Sequence, residues 1–408
     1  MKFSRLFLLT TLILIACSGS VTDSEDPQLP KELSKAEKQI VEADRTFSIE
    51  MFKELALKTE NENVFISPLS ISMALGMTLN GANGNTFDEI QSTLSLNEMS
   101  LPEINEGYRS LIELLTTVDP KVQMEIANSV WSRQGISIED EFSNNLTNYF
   151  DAETSELDFD NPESKDVINS WVSEKTHGKI EEIINGISPG TMMYLINAVY
   201  FKGDWVYAFD EELTKEMSFS LESDETIETE MMNQEINADY YITDNFEMID
   251  LPYGDGLFTM SLIKPSNNIS INTFIENNLS LDNLETWYQS STKDTVGVFL
   301  PKLELEYDEN LNTALANLGM PTAFTRSADF SGINPDLPLQ ITSVKHKTYL
   351  KLDEEGTEAA GVTSVEVGIT SVGPKNTVIS FDRSYLMILR EKESGAILFI
   401  GKILNPSG

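Results

Sequence analysis

The chain has 408 residues, 40% of them apolar and 23% charged, enough to bury a sizeable core and ordinary for a globular protein. Its 66 acidic residues against 28 basic ones give a net charge of −38, which argues against nucleic acid, heparin-like polymers or anionic lipid as partners and permits a basic protein partner. One cysteine and two histidines rule out a disulfide and leave little material for a metal or thiol site.

In chain order, the N-terminus reads as an address. Lys2 and Arg5 form a short basic region, and Leu6 to Ile15 a largely apolar run too short to span a bilayer. Leu14-Ile15-Ala16-Cys17 then resembles the lipobox of bacterial lipoproteins. That resemblance implies a signal peptide over residues 1–16 and lipid attachment at Cys17, the only contact with a membrane. Because Ser18 is not acidic, it also implies a lipid-anchored place in the bacterial cell envelope, at the outer membrane or cell surface. A plain secretory signal that happens to end in cysteine is the alternative. Residues 17–36 are expected to be the lipidated cysteine and a flexible tether, polar and with two prolines between Ser18 and Leu33.

Residues 37–408 show no internal repeat and are expected to form one unit. Its first third is mainly helical, with Phe47, Met51 and Leu55 on one stripe and an apolar run from Ser70 to Asn80 ended by Gly81. Met124, Ile126, Asn128 and Val130 alternate as a strand leading into Trp131, and helix returns from Lys165 to Ile184. Met193 to Phe201 is a nearly continuous apolar strand. Gly254-Asp255-Gly256 is a turn before the strand of Phe258, Met260 and Leu262, and Thr295 to Tyr307 reads as another strand. Tyr385 to Leu389 and Ala396 to Leu404, joined by Lys392-Glu393-Ser394-Gly395, predict a hairpin buried on both faces. Helices gather in front and strands behind, an α+β order.

Glu354 to Ile369 is a strand without an evident place. Thr357, Ala359, Gly361, Thr363, Val365, Val367 and Ile369 are small or β-branched and share one face, and no proline between Asp353 and Val372 would block pairing. Its approach, Asp353-Glu354-Glu355-Gly356, suits a loop.

Catalytic chemistry is thinly supported. Neither His177 nor His346 has a second His or Cys at ligand spacing, no Gly-x-Ser-x-Gly elbow occurs, and no cofactor or metal is expected. Ser67 and Ser70 open a helix, where hydroxyls cap backbone amides. With Asn197 and His346 they sit in or beside apolar runs, so the four are expected to satisfy one another as a buried hydrogen-bond cluster.

The chain resembles the serpins, protease inhibitors of the suicide-substrate type, from Ala43 to Pro406. The resemblance rests on Asn63-Val-Phe-Ile-Ser-Pro-Leu-Ser70, Asn197-Ala-Val-Tyr-Phe-Lys-Gly-Asp-Trp205, Leu300-Pro-Lys302, Asp329-Phe-Ser-Gly332, His346-Lys-Thr, Glu354-Glu-Gly-Thr-Glu-Ala-Ala360 and Leu398-Phe-Ile-Gly-Lys-Ile-Leu-Asn-Pro406. It implies three β-sheets, about nine helices and an exposed reactive loop over about residues 354–376. Ser67, Ser70, Asn197 and His346 match the family's shutter, Trp205 its breach, and Glu354, Gly356, Thr357, Ala359, Ala360 and Gly361 its hinge. A monomer acting on a target serine protease is implied, trapped as an acyl-enzyme while the cleaved loop enters the large sheet. Non-inhibitory relatives often carry charged or bulky hinge residues, and a binding or storage protein is the alternative.

Counting from the hinge places the scissile bond at Thr370-Ser371, while counting back from Phe381 moves it towards Gly373. Ile369, Thr370 and Val372 are small to medium and β-branched, which suits an elastase-like or subtilisin-like pocket.

Overall fold

A long helix with a buried stripe begins the described part of the chain, residues 32–357 and 377–407 of the computed structural model. Helix α1 (Lys35–Lys58) starts inside the stretch read as tether, where Ser34 and Glu37 form a reciprocal capping box, and it buries Phe47, Met51 and Leu55. Strand β1 (Val64–Ile66) is followed by α2 (Pro68–Leu79), α3 (Gly84–Thr93) and α4 (Leu101–Thr117). Next come β2 (Val122–Arg133), α5 (Asp140–Phe150), β3 (Glu153–Leu157), α6 (Ser164–Lys175) and β4 (Met193–Asp204).

The second half is mostly strand, with β5 (Lys215–Ser220), β6 (Thr226–Ile242), β7 (Phe246–Tyr253) and β8 (Phe258–Pro265) ahead of α7 (Ile271–Asn278) and α8 (Leu281–Ser290). Then follow β9 (Thr292–Pro301), β10 (Leu303–Asn310), α9 (Asn312–Leu318), β11 (Lys345–Leu352), β12 (Gly356–Thr357), β13 (Thr377–Ser380), β14 (Tyr385–Glu391) and β15 (Ile397–Ile403).

The strands form two hydrogen-bonded sheets. One has six strands in the order β10-β11-β12-β4-β2-β3. The other has nine strands in two leaves that share the long β6, which is how three sheets are reached: its first part pairs with β5 and β9 to make β13-β9-β6-β5, and its end, from Tyr240, pairs with β7 to continue as β7-β8-β14-β15-β1. With nine α-helices among the described residues, this is the α+β architecture expected from the sequence. The β14–β15 hairpin is buried at every position, which is why its sequence lacks alternation. Helix α2 packs between β4 and β15, so the opening residues of that helix lie beneath the six-stranded sheet.

Two elements differ from expectation. The helix predicted to reach Ile184 stops at Lys175, because His177 and Gly178 both take left-handed backbone angles (φ 51° and 80°) that end α-helical hydrogen bonding. The strand predicted across Thr295–Tyr307 is two strands in two sheets. Pro301 has no N–H to donate, and at Lys302 the chain leaves the β6–β9 leaf for the edge of the large sheet.

Candidate functional site

Among the described residues the six-stranded sheet is parted. Strands β4 and β11 would be neighbours in a closed sheet, yet among the described residues only the two-residue β12 joins them. Gly356 and Thr357 register with Asp204 and Gly203 of β4, and Thr357 registers with Leu352 of β11. Beyond β12 lies a cavity of about 630 Å³ whose walls include Ser67, Ser70, Asn197, His346, Thr348 and Tyr349.

The four polar residues predicted to satisfy one another are brought together at this cavity. Ser67 caps α2, its hydroxyl accepting from the Ser70 amide (3.3 Å) and donating to the Leu398 carbonyl (2.8 Å). The Ser67 amide donates to His346 Nε2 (3.1 Å), so the imidazole carries its proton on Nδ1. The Ser70 hydroxyl points to the Asn197 carbonyl at 3.5 Å. Asn197 Nδ2 donates to Asn128 Oδ1 (2.8 Å) on the register partner across β2 and β4, and Asn128 Nδ2 donates to the Phe150 carbonyl (2.7 Å). Asn197 Oδ1 is buried with no hydrogen-bond partner among the described residues. This arrangement is not a nucleophile and base. The imidazole nitrogen that would take a proton is occupied by a backbone amide, and the Ser67 hydroxyl is committed to a carbonyl.

Burial holds the His346 imidazole well below its ordinary range, at about 3. In the unfolded chain the same group protonates near the usual value of ~6.5, so the unfolded state takes up the proton first as pH falls. Stability linked to His346 is therefore complete above about pH 6.5 and is lost progressively down to about pH 3. In urea titrations between about pH 7 and about pH 4, the wild type should lose more stability than His346→Gln. Equal losses would show that His346 is not a buried neutral acceptor.

At the top of the opening the chain is clamped. Trp205 is buried, stacks on Tyr253 (ring centroids 4.2 Å apart, planes 18° apart) and donates from its indole to the Asp353 carbonyl (3.0 Å). The Trp205 amide donates to the Glu355 carbonyl and the Phe209 amide to the Glu354 carbonyl, each at 2.8 Å. Glu354 is buried, its carboxylate receiving the Thr214 hydroxyl (2.7 Å) and the Lys302 ammonium (3.1 Å). Burial alone would push that carboxyl up. The Thr214 and Lys302 contacts outweigh it and hold the group below its usual range. Gly356 lies so close to β4 that a Cβ there would stand 2.1 Å from the Gly203 carbonyl oxygen, which only glycine tolerates. Thr357 is 4% exposed, and its hydroxyl meets the Tyr253 hydroxyl at 2.5 Å. Burial pushes the Tyr253 hydroxyl up, so it stays protonated.

Of the residues expected at the hinge and the cleaved bond, Ala359, Ala360, Gly361, Ile369, Thr370, Ser371, Val372 and Gly373 lie outside the described residues. Sequence reading missed Thr214, Lys302, Tyr253 and Asn128 as partners of the site. Asn128 interrupts an apolar alternation on a strand, which is a local signal for a buried polar role, whereas nothing near Thr214 or Lys302 in sequence announces Glu354, a partner 140 residues from Thr214.

A family model described as "Serpin (serine protease inhibitor)" matches residues 42–406. Serpin B8 of Bos taurus is 33% identical over 377 residues, which cover 90% of this chain and 99% of that protein. Among solved structures, the thermophilic serpin tengpin in its native state superposes with a TM-score of 0.83 at 30% identity, covering 92% of this chain and 95% of that one. Human thyroxine-binding globulin complexed with thyroxine does so with a TM-score of 0.83 at 28% identity, covering 91% and 99%.

The bacterial lipoprotein expectation does not stand. Relatives of this chain include proteins from cattle, human, the tick Ixodes ricinus and the archaeon Thermococcus kodakarensis, and none of these is bacterial or described as a lipoprotein. Lipid attachment at Cys17 and a place in the bacterial envelope are therefore withdrawn, since a four-residue pattern after an apolar run arises readily by composition alone. Residues 1–31 lie outside the described residues, and no described helix is long and apolar enough to cross a membrane. A chain matched to the serpin model from residue 42 to residue 406, with a relative 33% identical across 90% of its length, belongs to the serpin family, and its role is inhibition or binding and not enzymatic turnover.

Proposed function

We propose that the chain is a suicide-substrate inhibitor of elastase-like or subtilisin-like serine proteases. A target protease cleaves the segment between β12 and β13 at Thr370-Ser371, forms an acyl-enzyme, and is carried with the loop as residues from Glu358 onward pair between β4 and β11. The observation that carries this reading is the parted sheet, held open with β12 already seated at its upper end. Each residue that follows would add ladder hydrogen bonds to β4 and β11, each worth about 1 kcal/mol net, and would bury Val and Ile side chains worth roughly 1.5–3 kcal/mol apiece. Asn197, whose Oδ1 is buried without a hydrogen-bond partner among the described residues, also lines this opening. The hinge, shutter and breach roles are assigned on the same basis, with Ser67, Ser70, Asn197 and His346 beneath the opening and Trp205 clamping its top.

The test is to mix the protein with a panel of serine proteases and locate the cleaved bond by mass. An elastase-like enzyme should give a covalent complex that survives denaturing gels, trypsin little, and Thr370→Arg should reverse that preference. An unchanged elastase-like rate in Thr370→Arg would move the bond towards Val372 or Gly373. A second reading, a carrier protein, is favoured by the likeness to human thyroxine-binding globulin solved with thyroxine. It requires that the protein bind its ligand without any dependence on loop insertion.

A further inference from the structure

Asp44 is an acid buried where three helices meet, with no ion pair among the described residues. It lies on α1 and is 3% exposed, with Ser72 of α2 against its carboxyl and Tyr108 of α4 beside them, bonded to the Ser72 carbonyl at 3.1 Å. The helices stand close together here. A Cβ on Gly76 of α2 would be 2.6 Å from the Tyr108 ring, and one on Gly107 of α4 would be 3.0 Å from Ile40 of α1. Asp44 Oδ2 has no hydrogen-bond partner among the described residues.

The hydrogens available at Ser72 point to the state of this acid. The Ser72 hydroxyl lies 2.5 Å from Asp44 Oδ1 and 3.1 Å from the Leu69 carbonyl, with one hydrogen for two acceptors. Both contacts are hydrogen bonds only when the carboxyl is protonated and donates to Ser72, which gives its own hydrogen to Leu69. A neutral carboxyl also leaves Oδ2 as an ordinary carbonyl oxygen, whereas an ionised one strands a charge away from water. Burial accordingly pushes the Asp44 carboxyl up to about 7.

The surroundings offer no competing titration. Helix α2 carries no charged residue, and those of α4 are exposed. Burial pushes the Tyr108 hydroxyl up, so it keeps its proton. Arg45, next to Asp44 in sequence, pairs with Glu42 and with Glu285 of α8. Lys402 of β15 binds the Ala56 and Thr59 carbonyls at the far end of α1, Glu276 of α7 and Asp282 of α8 are exposed, and α9 and β1 carry no charge.

We propose that the Asp44 carboxyl is a proton-operated lock on α2: protonated, it fixes that helix against α1, and ionised, it loosens the helix so that the parted sheet admits its loop more readily as pH rises. Helix α2 is the connection, because it carries Ser70 and is capped by Ser67 beneath the opening, and it packs against β4, one wall of that opening. A charge stranded at the α1–α2 contact is relieved by moving one packed helix past the other, the ordinary way a small electrostatic change biases a two-state element. The effect on the sheet rests on the inhibitory reading above.

In the unfolded chain an aspartate ionises at about 3.9, so the unfolded state gives up the proton first as pH rises. Stability linked to Asp44 is therefore complete below about pH 4 and is lost progressively up to about pH 7.

The test compares the full chain with Asp44→Asn, which keeps the shape and fixes a neutral group whose amide donates to Ser72. Between about pH 5 and about pH 8, urea titrations should show the folded-to-unfolded ratio of the wild type falling about 100-fold relative to the variant. Infrared difference spectra should show a protonated carboxyl C=O stretch in the wild type that fades over the same range and is absent from the variant. With an elastase-like protease, the ratio of trapped to cleaved protein should rise about tenfold more in the wild type than in the variant between about pH 6 and about pH 8, as the ionised population grows. A C=O stretch that does not change with pH, or equal stability profiles, overturns the lock. A titrating carboxyl with equal trapping by wild type and variant overturns its control of the sheet and leaves the inhibitory reading intact. Asp44-dependent stability and a titrating carboxyl without covalent complex from any protease of the panel support the lock and overturn the inhibitory reading.

Discussion

Thr357→Arg is expected to turn the protein from an inhibitor into a substrate. Thr357 is the leading inserted residue, 4% exposed between Gly203 of β4 and Leu352 of β11, with its hydroxyl against that of Tyr253. An arginine there would have to bury a guanidinium in a place that now holds only a threonine hydroxyl, or else stay outside and hold the hinge out of the sheet. An added barrier of about 3 kcal/mol would slow insertion roughly 100-fold. The acyl-enzyme would then have time to hydrolyse, so denaturing gels should show cleaved protein in place of covalent complex, while the initial rate of loop cleavage stays near that of the wild type. A carrier protein would be indifferent to the change, and undiminished complex formation would remove insertion from the mechanism.

Asp250→Ala is expected to cost about 3–5 kcal/mol of stability, because it strands a cation in the core. Asp250 and Arg390 face each other across strands β7 and β14, with side chains 8% and 5% exposed and Nη2 to Oδ2 at 2.6 Å. Ser261 of the intervening β8 donates to Asp250 Oδ1 and accepts from Arg390 Nε, and the guanidinium lies 3.8 Å from the centroid of the Tyr288 ring. Removing the carboxylate leaves the guanidinium without its counter-ion where water cannot reach it. Guanidinium chloride denaturation should show the loss as a lowered midpoint with an unchanged slope. The double variant Asp250→Leu/Arg390→Met should recover most of it, since apolar packing can replace a buried pair. A loss under about 1 kcal/mol in the single variant would mean that Arg390 finds solvent or another acceptor.

Much of the architecture was legible because it is local. The stripe of Phe47, Met51 and Leu55, the turn at Gly254 and Gly256 with positive φ, and the doubly apolar β14–β15 hairpin each follow from periodicity or backbone freedom over a few residues. The helix that stopped early at Lys175 was misread because two consecutive left-handed residues, one of them His177, leave little compositional trace. The strand broken at Lys302 was misread because one apolar run supplies two sheets. The polar cluster could be anticipated, since Ser, Asn and His in apolar runs must be satisfied somewhere. Its partners could not all be named: Lys302 and Thr214 reach Glu354 only because separate sheets converge at the top of β4.

The lipobox fared differently. Four residues carry too little information to outweigh the origin of the relatives, whereas the serpin motifs, spread from Asn63 to Pro406, agree with a family match over residues 42–406.

By itself, the sequence determined most of the elements, the α+β order, the family and the capacity of the segment beginning at Glu354 to become a strand, since alternation, side-chain size and the absence of proline are properties of neighbouring residues. Only the tertiary structure decided where that strand begins. Gly356 and Thr357 are seated between β4 and β11, Glu354 is buried on Lys302 and Thr214, and among the described residues the sheet beyond them stays parted over a cavity whose walls include Ser67, Ser70, Asn197 and His346. The physical reason is that strand pairing joins backbone groups distant in sequence, and a vacant place between two strands is set by where the rest of the core holds them apart.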